Sequence, residues 1–500
     1  VRQIASEFAD RINRGELPPG VRLPSERALA AQRGVHRSTA ALAYAELEAD
    51  GLVERRRGSG TTVTGDLWGV SPDWPRYLAD SAFRPTAGLL QRIREARQLP
   101  GAIDLSEGSV GPDLLPTTLV NDLLGHGAAP PYPDLDLGYS APLGDLALRR
   151  AIAEDFACRH GTPPPDPATI LITAGAQQAL YLIARVLLRP GDAVAVERPS
   201  YAYSLPLFQG AGLRLVPLPM DGDGVDPAGL RPLAERHRLR LAIVNPTFQN
   251  PTTTTMPTAR RRQLLAACRA LNLPLVEDDA YARLAGTVSG VSEAPPPLKA
   301  LDADGRVLHI GTLSKAAAPG LRIGWMMAPA PVASRLADAK LQVDFGADRV
   351  AQWLAARLVG SAAWETYLAS LRSALRARRE VLARELAAAF GAHLSFATPA
   401  GGMYLWARWA TPGDDRRRLD AAAHHGVVIA PGRLYGAADG FVRLTFARGD
   451  EATLVEAVRR LWRATLGAEG GSTIATGIWR AADPGGQHGQ AQATECEPRR

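Results

Sequence analysis

The stretch Gly311-Thr312-Leu313-Ser314-Lys315-Ala316-Ala317-Ala318-Pro319-Gly320-Leu321-Arg322-Ile323-Gly324 sets Lys315 just after an apolar run, Val307 to Ile310, and leads into another, Leu321 to Ala328. Both runs read as buried strands. An ammonium between buried strands is costly to desolvate unless it is paired or used chemically. One use is a Schiff base to an aldehyde cofactor such as pyridoxal 5'-phosphate (PLP), where burial helps by lowering the amine pKa. Arg322 could then hold a phosphate with its planar fork. The plain alternative is a basic residue on a surface loop. Composition weakens it, because the 57 basic residues include only three lysines, Lys299, Lys315 and Lys340.

Outward from this stretch, apolar runs alternate with amphipathic segments. Strands are predicted at Ile170–Thr173, Ala193–Glu197, Leu213–Pro217, Leu241–Asn245, Leu275–Asp278, Val307–Thr312 and Arg322–Met327, with helices such as Gln177–Leu188 and Thr258–Leu271 between them. That pattern implies an α/β fold with a mainly parallel seven-stranded sheet and ligands at the strand C-termini. The chemically loaded residues fall at those ends. Thr173-Ala174-Gly175-Ala176-Gln177 opens a helix whose free amides suit an anion. Tyr201 can stack on a ring, and Asn250 lies in a polar turn with two X-Pro bonds, either of which can be cis. Asp278 offers the acid that keeps a pyridine nitrogen protonated. Singly, each could be an ordinary turn residue. Together on one sheet edge they make a coincidence hard to sustain.

Residues 101–466 resemble the fold-type I aminotransferases. The resemblance implies that Lys315 carries PLP as a Schiff base, that Asp278 pairs with the pyridine nitrogen, and that Asn250 and Tyr281 contact the ring hydroxyl while Tyr201 stacks on the ring. It makes Ala176, Gln177, Thr312, Ser314 and Arg322 the phosphate cup. Tyr139, in "GYSAPLGDLALRRAIA", matches a tyrosine that reaches the phosphate of the partner subunit, which implies a homodimer. Arg443, in "FVRLTFAR", matches the arginine that clamps a substrate α-carboxylate. Thr253 departs from the pattern, since Gly usually follows Asn-Pro-Thr there, and a reshaped turn is expected. Helices near Ala347–Leu358, Ala363–Phe390 and Glu451–Leu466 and strands around Gly402–Trp406 and Val442–Phe446 suit a smaller C-terminal α+β subdomain, about 346–466. Residues 467–500, rich in Gly, Ala and polar residues, are expected to form a disordered tail.

The N-terminal residues have a different design. Ile4, Phe8 and Ile12 recur at helical spacing over residues 1–14. Pro18, Pro19 and Gly20 break that helix, and Ser25 is placed to N-cap a second one, Glu26–Gln32. Gly34 precedes a third, Arg37–Ala49. Two short strands then flank a basic, Gly-rich tip, Arg55-Arg56-Arg57-Gly58-Ser59-Gly60-Thr61. Residues 1–65 resemble the winged helix-turn-helix of the GntR family on "GELPPGVRLPSERALA" and "GVHRSTAALAYAELEADGLVERRRGSGTTV". The resemblance implies contacts to double-stranded DNA from Ser25, Arg27, Arg37, Ser38 and Thr39, with Arg57, Gly58, Ser59, Gly60 and Thr61 reaching an adjacent groove. Position alone puts Arg37 at a helix N-terminus that can enter the major groove and read guanine. His36 stands where the family has Ser or Thr; a weaker cap and an altered base preference are both open. These 65 residues carry ten Arg against eight Asp or Glu, so charge must gather on one face to matter.

The bulk numbers agree. Five hundred residues exceed one core. Three cysteines are too few and scattered for a disulfide framework or a zinc site, and no apolar run of membrane length appears, so a cytoplasmic protein with no membrane association and no metal is expected. A net charge of +6 permits nucleic-acid binding without requiring it. Residues 66–100, with Trp68 and Trp74 and a helix over Leu89–Arg97, read as a linker packing partly on the next domain.

A winged helix joined to an aminotransferase-like domain resembles the MocR (GabR-like) transcription regulators. That implies a PLP-dependent DNA-binding regulator that senses an amino compound. An active amino-acid aminotransferase carrying a DNA-binding module stays open, and so does a PLP-binding repressor in which Arg443 is idle.

Overall fold

The computed structural model describes residues 1–13, 16–18, 20–56, 60–64, 88–125, 138–285, 294–411 and 413–467, with the backbone alone at Asn13 and Arg56. The expected tip residues Arg57, Gly58 and Ser59, most of the linker, and the tail from 468 lie outside them. The chain divides into two compact units between Phe83 and Arg84.

In the first unit, helices α1 (Arg2–Asn13), α2 (Glu26–Arg33) and α3 (Arg37–Ala49) precede the antiparallel hairpin β1 (Val53–Arg56) and β2 (Gly60–Val63). Their apolar faces meet in one small core around Phe8, Ile12, Leu29, Tyr44 and Leu47. Buried Tyr44 donates its hydroxyl to the Pro24 carbonyl (2.7 Å), tying α3 to the segment ahead of α2. Burial, with Glu26 nearby, pushes that phenol up to about 12.

The second unit begins, among the described residues, with α4 (Gly88–Arg97). Ile93 and Ala96 belong to this unit's large apolar core, and Arg92 is ion-paired with Asp420 at 2.8 Å. The main sheet contains β3 (Ile170–Thr173), β4 (Ala193–Glu197), β5 (Arg214–Leu218), β6 (Leu239–Val244), β7 (Leu275–Asp278), β8 (Val307–Thr312) and β9 (Gly324–Met327). The spatial order is β3-β9-β8-β7-β6-β4-β5, and only β9 runs antiparallel to its neighbours. The fully buried pattern of β3, β4, β8 and β9 is what a sheet covered on both faces requires. A second, four-stranded antiparallel sheet has the order β10 (Leu394–Phe396), β11 (Tyr404–Trp409), β13 (Phe441–Thr445), β12 (Ala430–Pro431). It packs against the long helix Ala362–Phe390, on which the helix Glu451–Thr465 packs in turn, an α+β arrangement.

Most boundaries fall within a residue or two of the periodicity. Arg322 is the instructive case, because it does not start the last strand. It follows a 3-10 turn at Pro319–Leu321 and adopts the left-handed conformation (φ 51°), so the strand starts at Gly324. Taken out of strand register, its guanidinium reaches back to the Ala174 carbonyl at 2.8 Å.

Candidate functional site

At the C-terminal edge of the large sheet lies a cavity of about 410 Å³. Its walls include Ala176, Gln177, Tyr201, Asn250, Asp278, Tyr281, Thr312, Ser314, Lys315, Arg322 and Arg443, so the structure brings together the expected site residues with one exception.

Lys315 sits on the turn after β8, half-buried, with Nζ donating to the Gly108 carbonyl at 2.6 Å. Asp278 ends β7. One of its carboxylate oxygens, Oδ1, is buried with no hydrogen-bond partner among the described residues. Burial, then the charge of Asp279, lifts the Asp278 carboxyl from 3.8 to about 6, against a downward pull from Lys315. A buried carboxylate oxygen left without a donor calls for one, and a protonated pyridine nitrogen supplies it. The cofactor therefore fits the residues present.

The turn after β6 is held by a buried polar chain. Glu197 at the end of β4 accepts from the Asn245 amide and from Gln249 Nε2, each at 3.1 Å. Asn245 Oδ1 then accepts from the Asn250 amide (2.8 Å), and its Nδ2 donates to the Asp278 carbonyl (2.5 Å). This fixes Asn250, whose Nδ2 donates to the Tyr281 hydroxyl at 3.2 Å. Burial, with some offset from these donors, raises the Glu197 carboxyl to about 8. The Asn250–Pro251 bond is cis while Asn245–Pro246 is not; Arg198–Pro199, which the sequence reading passed over, is also cis. Thr253 is expected to reshape its turn. This residue keeps the left-handed conformation (φ 63°) that suits glycine, with its amide bonded to the Gln249 carbonyl at 2.6 Å.

On the other side of Lys315, helix α5 (Ala176–Val186) starts at Gly175, whose φ of 89° and lack of a side-chain cap leave the first amides open. A Cβ on Gly175 would come within 2.8 Å of Arg322 Nη2, so this glycine makes room for the guanidinium. Thr312 Oγ1 donates to Ser314 Oγ at 3.0 Å. A helix N-terminus, two hydroxyls and an exposed Arg around one corner form an anion cradle.

Arg443, buried on β13, donates from Nη1 to Asn250 Oδ1 (2.8 Å) and from Nη2 to the Ser106 carbonyl (2.6 Å). Its guanidinium lies over the Tyr404 ring at 4.0 Å and near the Tyr435 ring at 4.8 Å, while Nε is buried without a partner among the described residues. A planar cation held by aromatic faces is ready for a carboxylate.

The exception is Tyr139, which the resemblance places at a partner subunit's phosphate and not in this chain's own cavity. It does not line the cavity but stands 87% exposed, against Phe345 at 5.8 Å between ring centroids. Sequence reasoning also missed Tyr404, whose hydroxyl lies 3.2 Å from that of Tyr281, and the Ser106–Ser109 wall. The glycine at 108 was the available signal, because a Cβ there would strike the Tyr404 hydroxyl. Tyr404 itself stands in an apolar strand and gives no local signal.

In the first unit, Ser25 Oγ accepts from the Ala28 amide (3.2 Å) and caps α2, while Gly34 ends it in the left-handed conformation. His36 caps α3: its Nδ1 accepts from the Ser38 amide at 3.4 Å and lies 2.8 Å from Ser38 Oγ. The imidazole thus takes the capping position of Ser or Thr, through a long bond. Ser25, Arg27, Arg37 and Ser38 are exposed, and Thr39 is half-buried. The Arg37 side chain is 72% exposed and loosely held by Glu26 at 3.4 Å. Gly60 is exposed, but Thr61, paired with Arg55 one step below the tip, is buried, its carbonyl accepting from the Leu23 amide (2.8 Å), so its side chain is withheld from the surface.

Comparison with known proteins agrees with this division. Residues 136–461 match the family model "Aminotransferase class I and II", and residues 1–63 match "Bacterial regulatory proteins, gntR family". The chain is 35% identical over 453 residues to the uncharacterized HTH-type transcriptional regulator YisV of Bacillus subtilis, covering 89% of this chain and 92% of that one. It is 30% identical to aromatic-amino-acid aminotransferase 1 of Thermococcus litoralis over 78% of this chain and 94% of that one. Among solved structures, a kynurenine aminotransferase of Pyrococcus horikoshii superposes with a TM-score of 0.72 at 30% identity, covering 79% of this chain and 98% of that one. That structure is a complex with PMP. Among the described residues, no helix is long and apolar enough to cross a membrane.

Proposed function

Because this chain belongs to the class I and II aminotransferase family and carries a GntR-family helix-turn-helix, the fusion of the MocR (GabR-like) regulators, we propose that its cofactor site reports an amino compound to its DNA-binding unit. It is a PLP-dependent transcription regulator that binds DNA. The observation that carries the sensing reading is the pair of buried atoms in the cavity without a partner among the described residues, Asp278 Oδ1 and Arg443 Nε, one suited to the cofactor ring and the other to a ligand carboxylate.

When bound, PLP supplies an aldehyde that amines can claim and a ring that draws off electron density. Lys315 is assigned as the amine that holds it, and Asp278 as the carboxylate that keeps the proton on its ring nitrogen. Asn250 and Tyr281 are assigned to the ring hydroxyl and Tyr201 to its face, with Ala176, Gln177, Thr312, Ser314 and Arg322 at the phosphate. Arg443, held by tyrosine faces and two neutral oxygen acceptors that leave its charge uncompensated, is assigned to the ligand's α-carboxylate. With PLP held at Lys315, an amine ligand would compete with Nζ for the aldehyde, and a ligand carboxylate on Arg443 would draw on its contacts to Asn250 and Ser106. If ligand affinity differs between two conformers, the DNA-competent population shifts by that difference.

The active unit is assigned as a homodimer. The exposed aromatic pair Tyr139 and Phe345 supports this, together with exposed Val343 and Val350 nearby in sequence. Two copies would offer two winged helices to two half-sites, with Ser25, Arg27, Arg37, Ser38 and Thr39 toward the DNA and the hairpin tip, residues 57 to 60, at the neighbouring groove.

The test is DNA binding by the full-length protein, with PLP, across a panel of amino acids and amines. At least one compound is expected to change operator affinity about five-fold or more. Multiple-turnover transamination without a specific DNA footprint would overturn the reading in favour of a working aminotransferase.

A further inference from the structure

The charges lining the cavity can be followed one at a time. Glu107 is engaged by Arg448 at 2.7 Å, and Arg97 by Asp104 at 3.0 Å. On the functional reading above, PLP answers Lys315, Arg322 and Asp278, and the α-carboxylate of the ligand answers Arg443. One lining cation is then left over. Arg94 is exposed and has no ion pair or hydrogen bond among the described residues.

Its placement is not that of a stray surface arginine. Leu90, Ile93, Arg94 and Arg97 all line the cavity, at the spacing that puts them on one face of α4. The helix is fixed in place by buried Ile93 and Ala96 and by the Arg92–Asp420 ion pair. Leu205 and Leu434 also line the cavity, so the cations are accompanied by apolar wall. A guanidinium on a rigid helix face, with methylene-compatible walls and no partner, suits a second anionic group on the ligand.

We infer that Arg94 receives a distal carboxylate, so that the amino compound sensed is a dicarboxylic amino acid with an aliphatic spacer. This rests on the functional reading above, and its test separates the two. Full-length PLP-loaded protein is titrated with L-glutamate and L-2-aminoadipate, and with L-norvaline and L-norleucine as monocarboxylic counterparts, reading the change in cofactor absorbance. The diacids are expected to half-saturate at concentrations about ten-fold lower or better. Arg94→Ala should erase that preference by weakening the diacids alone, and Arg94→Lys should restore part of it. Equal half-saturation for diacids and monoacids, or a preference that survives Arg94→Ala, would overturn the inference while leaving amino-compound sensing intact. A spectrum indifferent to every compound would instead overturn the sensing reading itself, and this inference with it.

Discussion

The two units present function in opposite ways. In the winged helix the candidate contact residues come from one short stretch of chain, and most of their side chains stand in water. In the aminotransferase unit the candidate groups come from positions as far apart as Ser106 and Arg443, and the decisive atoms are buried without partners among the described residues. A DNA interface must stay exposed to meet phosphates, and its net strength is moderated by salt. A cofactor pocket must strip water from its donors, so that each unpaired group becomes a strong demand for a specific partner. Substitutions should therefore act all-or-none in the second unit and by degrees in the first.

The sharpest contrast is expected from Lys315→Ala, which should abolish the visible-edge absorbance of the PLP-loaded protein; persistence of that band would break the site assignment. Asp278→Asn comes next. Because Asp278 is raised from 3.8 to about 6, the cofactor-free fold takes up a proton in that window and loses stability as pH rises through it. The Asn variant should therefore be more stable than the parent at pH 8 in the absence of PLP, by about 1–3 kcal/mol in chemical denaturation. It should also hold PLP roughly a hundred-fold more weakly. A cofactor-free variant less stable than its parent would refute the burial argument.

In the first unit, Arg37→Ala should cost about 1–3 kcal/mol of specific operator affinity with no change in melting temperature, read by fluorescence anisotropy. Unchanged affinity would remove Arg37 from the recognition surface. Smaller still, Thr253→Gly should stabilise the second unit by about 1 kcal/mol, since a β-branched residue in the left-handed region is strained. At a similar scale, His36→Ala should destabilise the first by about 0.5–1 kcal/mol through its lost cap. If His36→Ala changed operator preference without changing stability, the imidazole would be a reader and not a cap.

Legibility follows the same division. The winged helix could be read because its signals are local: Ser25 before α2, Gly34 after it, and apolar positions at helical spacing. The strand ends of the large sheet were legible too, since buried parallel strands are continuous apolar runs and the polar residues that stop them stand out. Tyr404 was not legible, because a tyrosine within an apolar strand looks like core until its hydroxyl is found beside Tyr281. Arg322 was placed in the wrong element, since its reach back to Ala174 depends on a turn closed by tertiary contact. Thr61 looked like part of an exposed tip, and only the pairing of its backbone with Leu23 shows the burial.

Sequence by itself determined the family, the fold class and the cofactor, and it singled out Lys315 as the candidate amine, because each rests on residue chemistry at short spacing or at a strand end. Tertiary structure alone decided which atoms lack partners and which cation in the cavity is left over. A missing hydrogen bond is a property of everything that surrounds an atom, and no stretch of chain contains its own surroundings.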